Sequence, residues 1–96
     1  MKVYESYMKE QVKHPNAIIV KRLGDFYEVF GLGAKIVADE MNFTITGREC
    51  GIEERVLMVG FPFCMCDEVV SKLKEKYEVV ITENWDGKSV LRYLSL

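Results

Sequence analysis

The stretch RLGDFYEVFG, residues 22–31, places an aromatic and an acidic side chain close together beside a turn. Gly24-Asp25 is a two-residue turn signal between two apolar runs, which is the pattern of a β-hairpin. Phe26 and Glu28 lie two residues apart, so on a strand both side chains point to the same face. Together they would present a flat apolar ring and a hydrogen-bonding carboxylate to whatever that face meets.

Residues suited to catalysis are sparse in this sequence. His14 is the single histidine, and neither a G-x-S-x-G nucleophile motif nor a Walker A phosphate-binding motif occurs. The three cysteines, Cys50, Cys64 and Cys66, lack the paired spacing of zinc ligands, so we expect reduced and partly buried thiols. We therefore expect no enzyme, no metal site and no cofactor.

The composition is that of one globular domain with a modest core. Of 96 residues, 49% are hydrophobic and 29% are charged, and the net charge is −2 with both signs mixed along the chain. Strong unspecific binding to nucleic acid depends on clustered Lys and Arg, which this chain lacks. No apolar run approaches the roughly 18 residues that cross a bilayer, and the N-terminus is too polar for a signal peptide. We expect a cytoplasmic protein without membrane contact.

The apolar pattern predicts an α/β fold. Helical spacing predicts one helix that ends before Pro15, a second that carries Ala34 and Val37 inward, and a third capped by Asp67. Short β-branched or alternating runs predict strands at 17–23, 26–30, 43–46, 56–60, 78–82 and 89–94, with a polar loop over 47–55 and a turn at Asp86-Gly87. We expect a single domain over residues 1–96, with a mixed sheet of about five or six strands flanked by three helices.

Four motifs follow one another along the chain: His14-Pro15 before an apolar strand, Gly24 through Glu28, Thr46-Gly47-Arg48, and Gly60-Phe61-Pro62. In this order and with similar gaps they resemble the N-terminal mismatch-recognition domain of the MutS DNA mismatch repair family. The resemblance is strongest over residues 4–84. It implies the α/β fold of that domain.

The resemblance also implies a role for the aromatic–acid pair. In MutS proteins a Phe-x-Glu motif probes the mispair: the ring enters the minor groove and stacks on a mispaired base, and the carboxylate hydrogen-bonds to that base. Carried over, Phe26 would be the wedge and Glu28 the base contact. Arg48 would be a phosphate contact, and Met58 would lie in the segment that approaches the same groove.

Physical chemistry explains why a mispair would favour such a pair. Base–aromatic stacking is worth roughly 1–3 kcal/mol per base, whereas unstacking a base step costs a few kcal/mol. A mispaired step is already weak, so insertion there costs less than in paired duplex. Glu28 would accept a hydrogen bond from an unpaired base N–H or, when protonated, donate one, and its charge would penalise binding to normal duplex.

The residue patterns by themselves leave other interpretations open. Phe26 could be a core residue, because Tyr27 and Val29 offer an equally apolar face and periodicity does not choose between them. Arg48 could be a solvated loop charge. Lys21 and Arg22, which bracket the hairpin, could face phosphates or could be ordinary surface charges.

The family's full-length proteins are many times longer and carry connector, lever, clamp and ATPase domains. This chain departs from the family's Gly-x-Pro-Tyr-His segment at Phe63-Cys64, and its tail from Trp85 onward matches no family motif. The resemblance therefore implies a stand-alone module that binds mismatched or distorted double-stranded DNA weakly, with clamp or ATPase functions supplied by a partner. The alternatives are a protein-interaction or regulatory module that keeps the fold without appreciable DNA affinity, and a fragment of a longer protein.

Overall fold

A computed structural model describes residues 2–48, 56–85 and 88–94, which form a six-stranded mixed sheet with helices on both faces. The helices are α1 (Lys2–Lys13), α2 (Gly31–Met41) and α3 (Cys66–Leu73), and a short 3-10 turn (Phe63–Met65) leads into α3. The strands are β1 (Ala17–Leu23), β2 (Phe26–Phe30), β3 (Thr46–Arg48), β4 (Val56–Pro62), β5 (Glu78–Trp85) and β6 (Lys88–Leu94). This confirms the predicted α/β domain with a mixed sheet and three helices.

The strand order across the sheet is β3-β4-β2-β1-β5-β6. Strands β1 and β5 are parallel, and the other neighbours are antiparallel. The β1–β2 hairpin therefore lies at the centre of the sheet, where β4 flanks β2 and β5 flanks β1. A hairpin in this position is held on both sides by backbone hydrogen bonds, so its exposed end is rigidly supported.

Side chains alternate between two buried clusters, one on each face of the sheet. The larger cluster packs beneath α2 and α3, and its members are Ile18, Val20, Tyr27, Val29, Ala34, Val37, Val59, Phe61, Cys66, Val69, Val70, Leu73, Val79 and Ile81. The smaller cluster lies on the opposite face and contains Tyr7 of α1 together with Ala17, Ile19, Phe30, Val56 and Val80.

Helix α1 is fastened to the second face by hydrogen bonds from two of its side chains. The Tyr7 hydroxyl donates to the carbonyl of Phe30 at 3.2 Å, and the two rings meet edge to face at 4.9 Å. Burial is the main cause that raises the pKa of Tyr7 to about 12. At the other end, Gln11 Nε2 donates to the carbonyls of His14 and Ala17 at 3.0 and 2.9 Å, which bridges the turn into β1.

Helix α2 approaches the sheet closely at a glycine. A Cβ added at Gly33 would lie 3.0 Å from Cγ1 of Val29 and 3.4 Å from the hydroxyl oxygen of Tyr7. A larger residue there would push α2 away from β2 and α1. The helix ends at Asn42, whose φ of 57° is left-handed and whose N–H bonds to the carbonyl of Ala38.

The prediction of a strand over residues 43–46 is wrong. The strand in this region is Thr46–Arg48, so Gly47 and Arg48 belong to β3 rather than to the predicted polar loop. Residues 43–45 connect the helical layer to the sheet edge. Within this connection, Phe43 and Ile45 pack against the larger core cluster. The remaining predicted loop residues, 49–55, lie outside the described residues.

The prediction that Asp67 caps the third helix is also wrong. Met65 occupies the N-cap position without a side-chain cap, because the preceding 3-10 turn has already started the helical path. Asp67 and Glu68 lie in the first turn, where a negative charge is favourable. The inner face is confirmed, because Val69, Val70 and Leu73 are buried, and Tyr77 follows half-buried beyond the helix end. The turn predicted at 86–87 lies outside the described residues.

Two of the cysteines are free thiols: Cys64 is exposed and Cys66 is buried, whereas Cys50 lies outside the described residues. Within residues 2–48, 56–85 and 88–94, no three His, Cys, Asp or Glu side chains cluster as a metal site would require. In the same part of the chain, none of the helices is both long and apolar enough to span a bilayer.

Candidate nucleic-acid interface

The turn of the β1–β2 hairpin places Phe26 at the open end of the sheet. Gly24 has a φ of +62°, which fits the first central position of a type II′ hairpin turn. Leu23 and Phe26 are then directly opposite each other, and Phe26 also faces Pro62 of β4 on its other side. A two-residue turn with this register fixes which face of β2 each side chain occupies.

Phe26 lies outside the core, in contrast to its neighbour Tyr27. The exposed fraction of Phe26 is 53%, whereas Tyr27 is 1% exposed. The Tyr27 ring stacks on Phe61 at 5.8 Å between centroids, and its hydroxyl donates to the carboxylate of Glu83. Burial, reinforced by this hydrogen bond, raises the pKa of Tyr27 well above its usual value. Tyr27 therefore belongs to the larger core cluster, whereas Phe26 lies at the hairpin end, outside the smaller cluster that buries Phe30 on the same face.

We call the exposed region around Phe26 the hairpin face, defined by Phe26, Glu28, Met58, Gly60 and Pro62. Glu28 is half-buried there, and its cross-strand partners are Lys21 on β1 and Gly60 on β4. Gly60 keeps this face open, because a Cβ at this position would lie 3.7 Å from Met58 Sδ and 4.0 Å from Glu28 Cγ. The ring and the carboxylate predicted to work together therefore share one accessible face.

Met58 lies one row further from the turn, opposite Phe30 on β2 and Thr46 on β3. It is half-buried against the smaller core cluster, and its carbonyl accepts a hydrogen bond from Thr46 Oγ1 at 3.2 Å. Arg48 ends β3 opposite Val56, at the sheet edge beyond β4. Its side chain lies outside the described part of the structure. The geometry thus brings Phe26, Glu28 and Met58 onto one face.

The two basic residues beside the hairpin have different surroundings. Lys21 is only 9% exposed, and its Nζ donates to Ser6 Oγ of α1 at 3.1 Å. Lys21 is therefore enclosed by α1 and is not placed to meet a phosphate. The Arg22 side chain points to the other face and is 35% exposed. Sequence periodicity could not predict this difference, because it depends on which face α1 covers.

One exposed aromatic was missed by the sequence analysis. Phe63 is 50% exposed, and its N–H donates to the carbonyl of Asp25 at 2.8 Å. The Arg22 guanidinium lies over its ring, 4.8 Å from the centroid. The available signal was its spacing of two residues from Phe61, but Phe63 begins the 3-10 turn after β4 and lies level with the hairpin turn, beyond the end of the core.

Fold and face together define an α/β domain that presents an aromatic–acid pair at one end of its sheet. The family model described as MutS domain I matches residues 1–94, so the tail from Trp85 to residue 94, in which no family motif was expected, belongs to the match. This chain belongs to the MutS domain I family.

Named relatives give the same assignment. The chain is 44% identical over 89 residues to the DNA mismatch repair protein MutS of Desulforamulus reducens, covering 92% of this chain and 10% of the relative. It is 43% identical over 86 residues to the MutS of Caldanaerobacter subterraneus subsp. tengcongensis, covering 88% and 10%, and 35% identical over 89 residues to that of Clostridioides difficile, covering 92% and 9%. The chain therefore spans about a tenth of the length of these relatives.

Proposed function

We propose that this chain is a mismatch-recognition module that binds mispaired or distorted double-stranded DNA by inserting Phe26 into the minor groove. The observation that carries the proposal is the 53% exposure of the Phe26 ring at the end of a hairpin, next to Tyr27, which is buried. A large apolar ring held in water by a rigid scaffold gains free energy when it stacks on a base. Membership of the MutS domain I family supports the same role.

The rigidity of the scaffold supports insertion over simple surface contact. Strand β2 is paired along both edges, and Tyr27 anchors the reverse side of the hairpin through Phe61 and Glu83. The backbone that carries the ring is therefore already in place before DNA arrives, so little backbone freedom is lost on binding. The free energy of stacking can then be used to unstack a base step, which costs least where the step is mispaired.

Glu28 would supply the second element of discrimination. On the hairpin face its carboxylate lies beside Phe26, two residues further from the turn along β2. In paired duplex the Watson–Crick N–H groups are occupied, and the minor groove presents acceptors apart from the guanine N2–H at G·C pairs, so the carboxylate mostly meets the negative field of the phosphates. At a mispair, a base N–H released from pairing can donate a hydrogen bond to the carboxylate, so Glu28 favours the mispair mainly by opposing normal duplex.

Two further residues and the partners remain part of the proposal. Met58 would line the groove beside Glu28, and Arg48, at the end of β3, would contact a phosphate. With a net charge of −2, the chain alone should bind weakly, and stronger binding would need clamp or ATPase functions from other domains or from a partner. The working location would be the cytoplasm.

The test compares a G·T-containing duplex with its fully paired control by fluorescence anisotropy at low salt. We expect the wild-type chain to prefer the G·T duplex and Phe26→Ala to lose that preference. Val12→Ala is the matched control, because Val12 is 75% exposed at the end of α1 far from the turn. A preference that survives unchanged in Phe26→Ala would refute the wedge.

The alternative function is a protein-interaction or regulatory module without appreciable DNA affinity. The net negative charge and the enclosure of Lys21 favour it, because both reduce the positive charge available to a duplex. This alternative predicts that neither duplex binds at low salt, so the same titration separates the two functions.

A further inference from the structure

The end of the β1–β2 hairpin carries an exposed aromatic ring on each of its two sides. Phe26 projects from the face that also bears Glu28 and Pro62. Phe63 is the residue after Pro62, and its hydrogen bond to Asp25 extends the β2–β4 ladder by one position. The Phe63 ring contacts Arg22, which points to the face opposite Phe26, so Phe63 projects from that opposite side. If the hairpin end entered a DNA groove, the two walls of the groove would therefore contact the Phe26 side and the Phe63 side simultaneously.

On the Phe63 side, an arginine is held in a fixed orientation. Arg22 Nε donates to the carbonyl of Gly24 at 3.0 Å, and the guanidinium lies over the Phe63 ring at 4.8 Å. Arg22 Nη1 is 4.0 Å from Glu83 Oε1. A guanidinium has five N–H donors, so these contacts orient the group without using all of them.

The neighbouring carboxylates do not fully neutralise Arg22, so its guanidinium can still bind an anion. Glu83 is the carboxylate next to it, but the pair is at the outer limit of an ion pair, and the same carboxylate accepts the Tyr27 hydroxyl. Asp25 is exposed in the turn. The Arg22 side chain is 35% exposed, in contrast to Lys21, which is enclosed by α1 on the opposite face. Arg22 is therefore the accessible cation of the hairpin.

We infer that Arg22, supported by the Phe63 ring, contacts a backbone phosphate of the strand that forms one wall of the groove when the hairpin end inserts. The inference rests on the proposed function, because insertion brings the hairpin between two phosphodiester walls in a groove about 6 Å wide. Arginine matches phosphate geometry with paired N–H donors. A phosphate contact positions a protein without reading the base, so Arg22 sets affinity and Phe26 sets preference.

The test measures binding of the 96-residue chain to the G·T duplex and to its paired control over a range of salt concentrations. We expect Arg22→Gln to weaken binding to both duplexes by a similar factor and to reduce the slope of log affinity against log salt by about 1. Arg22→Lys should retain most of that slope, since it keeps the charge. If Arg22→Gln leaves the salt slope unchanged and lowers only the preference, Arg22 merely supports the turn and the inference is overturned.

A second variant leaves Arg22 and its hydrogen bond to Gly24 in place. Glu83→Gln removes the negative charge beside the guanidinium, so binding to both duplexes should become about two- to threefold tighter at low salt if Arg22 faces a phosphate. Unchanged affinities for both duplexes would contradict the contact.

The two proposals fail in different ways. A wild-type chain that binds both duplexes equally, with a salt slope that Arg22→Gln reduces, refutes mismatch recognition but supports the Arg22 contact. The opposite outcome is a wild-type preference for G·T that Phe26→Ala abolishes, together with a salt slope that Arg22→Gln does not change. That outcome supports mismatch recognition and refutes the Arg22 contact.

Discussion

Phe26 and Phe30 form a matched pair for testing the architecture of the hairpin face without DNA. They have the same side chain, lie on the same strand and point to the same face of the sheet, but Phe26 is 53% exposed and Phe30 is 2% exposed. Phe30 packs against Tyr7 and Tyr4, with centroid separations of 4.9 and 5.7 Å. Truncating each ring to alanine therefore probes a core position and a surface position that differ in little else.

The expected losses of stability follow from burial. Complete burial of a Phe side chain contributes about 1.5–3 kcal/mol, so the half-exposed Phe26 contributes about 1 kcal/mol. Phe30→Ala also leaves a cavity against α1, and such substitutions cost about 3–5 kcal/mol. Domains have total stabilities of roughly 5–15 kcal/mol, so Phe30→Ala should approach unfolding whereas Phe26→Ala should not.

Urea denaturation followed by circular dichroism measures both free energies of unfolding. The wild-type chain and Val12→Ala serve as references, because Val12 is also largely exposed. If Phe26→Ala loses as much stability as Phe30→Ala, the Phe26 ring is part of the core in solution. The reasoning that makes it a wedge would then be refuted before any DNA is added.

Two further predictions concern the pH dependence of stability and the role of Gly60 on the hairpin face. The pKa of Tyr7 is about 12 in the folded chain and about 10 when unfolded, so stability should fall as pH rises from 10 to 12, and Tyr7 should account for about 2–3 kcal/mol of that loss. In alkaline denaturation curves, Tyr7→Phe should remove this share and leave the share of Tyr27, whose pKa is also raised. Gly60→Ala should leave the urea midpoint nearly unchanged, because the new Cβ makes only ordinary contacts of 3.7–4.0 Å, but it should weaken binding to the G·T duplex by narrowing the approach to Glu28. Unaltered G·T affinity in a folded Gly60→Ala chain would mean that DNA does not approach this strand.

The local pattern of the sequence predicts the hairpin well. Gly24-Asp25 between two apolar runs determines the turn and the register, and hence places Phe26 and Glu28 on one face. The pattern does not determine which face is buried, because Tyr27 and Val29 are as apolar as Phe26 and Phe30. Only the family resemblance favoured an exposed Phe26, and the structure shows how α2 and α3 take the other face into the core.

The features that the sequence did not predict depend on contacts between distant segments. Lys21 is enclosed because α1 places Ser6 over it, and no spacing within β1 reports this. Phe63 meets Arg22 because β4 ends level with the turn. Strand β3 starts at Thr46 because the chain must first cross from α2 to the sheet edge.

The central claim is that the Phe26 ring stacks on a mispaired base, and intermolecular NMR contacts test it most directly. The chain with labelled phenylalanine is titrated with the G·T duplex and with the paired duplex at low salt. We expect nuclear Overhauser contacts and ring-current shifts between Phe26 and the mispaired nucleotides, and we expect none with the paired duplex. Saturating binding of the G·T duplex that leaves the Phe26 ring resonances at their unbound positions would contradict it.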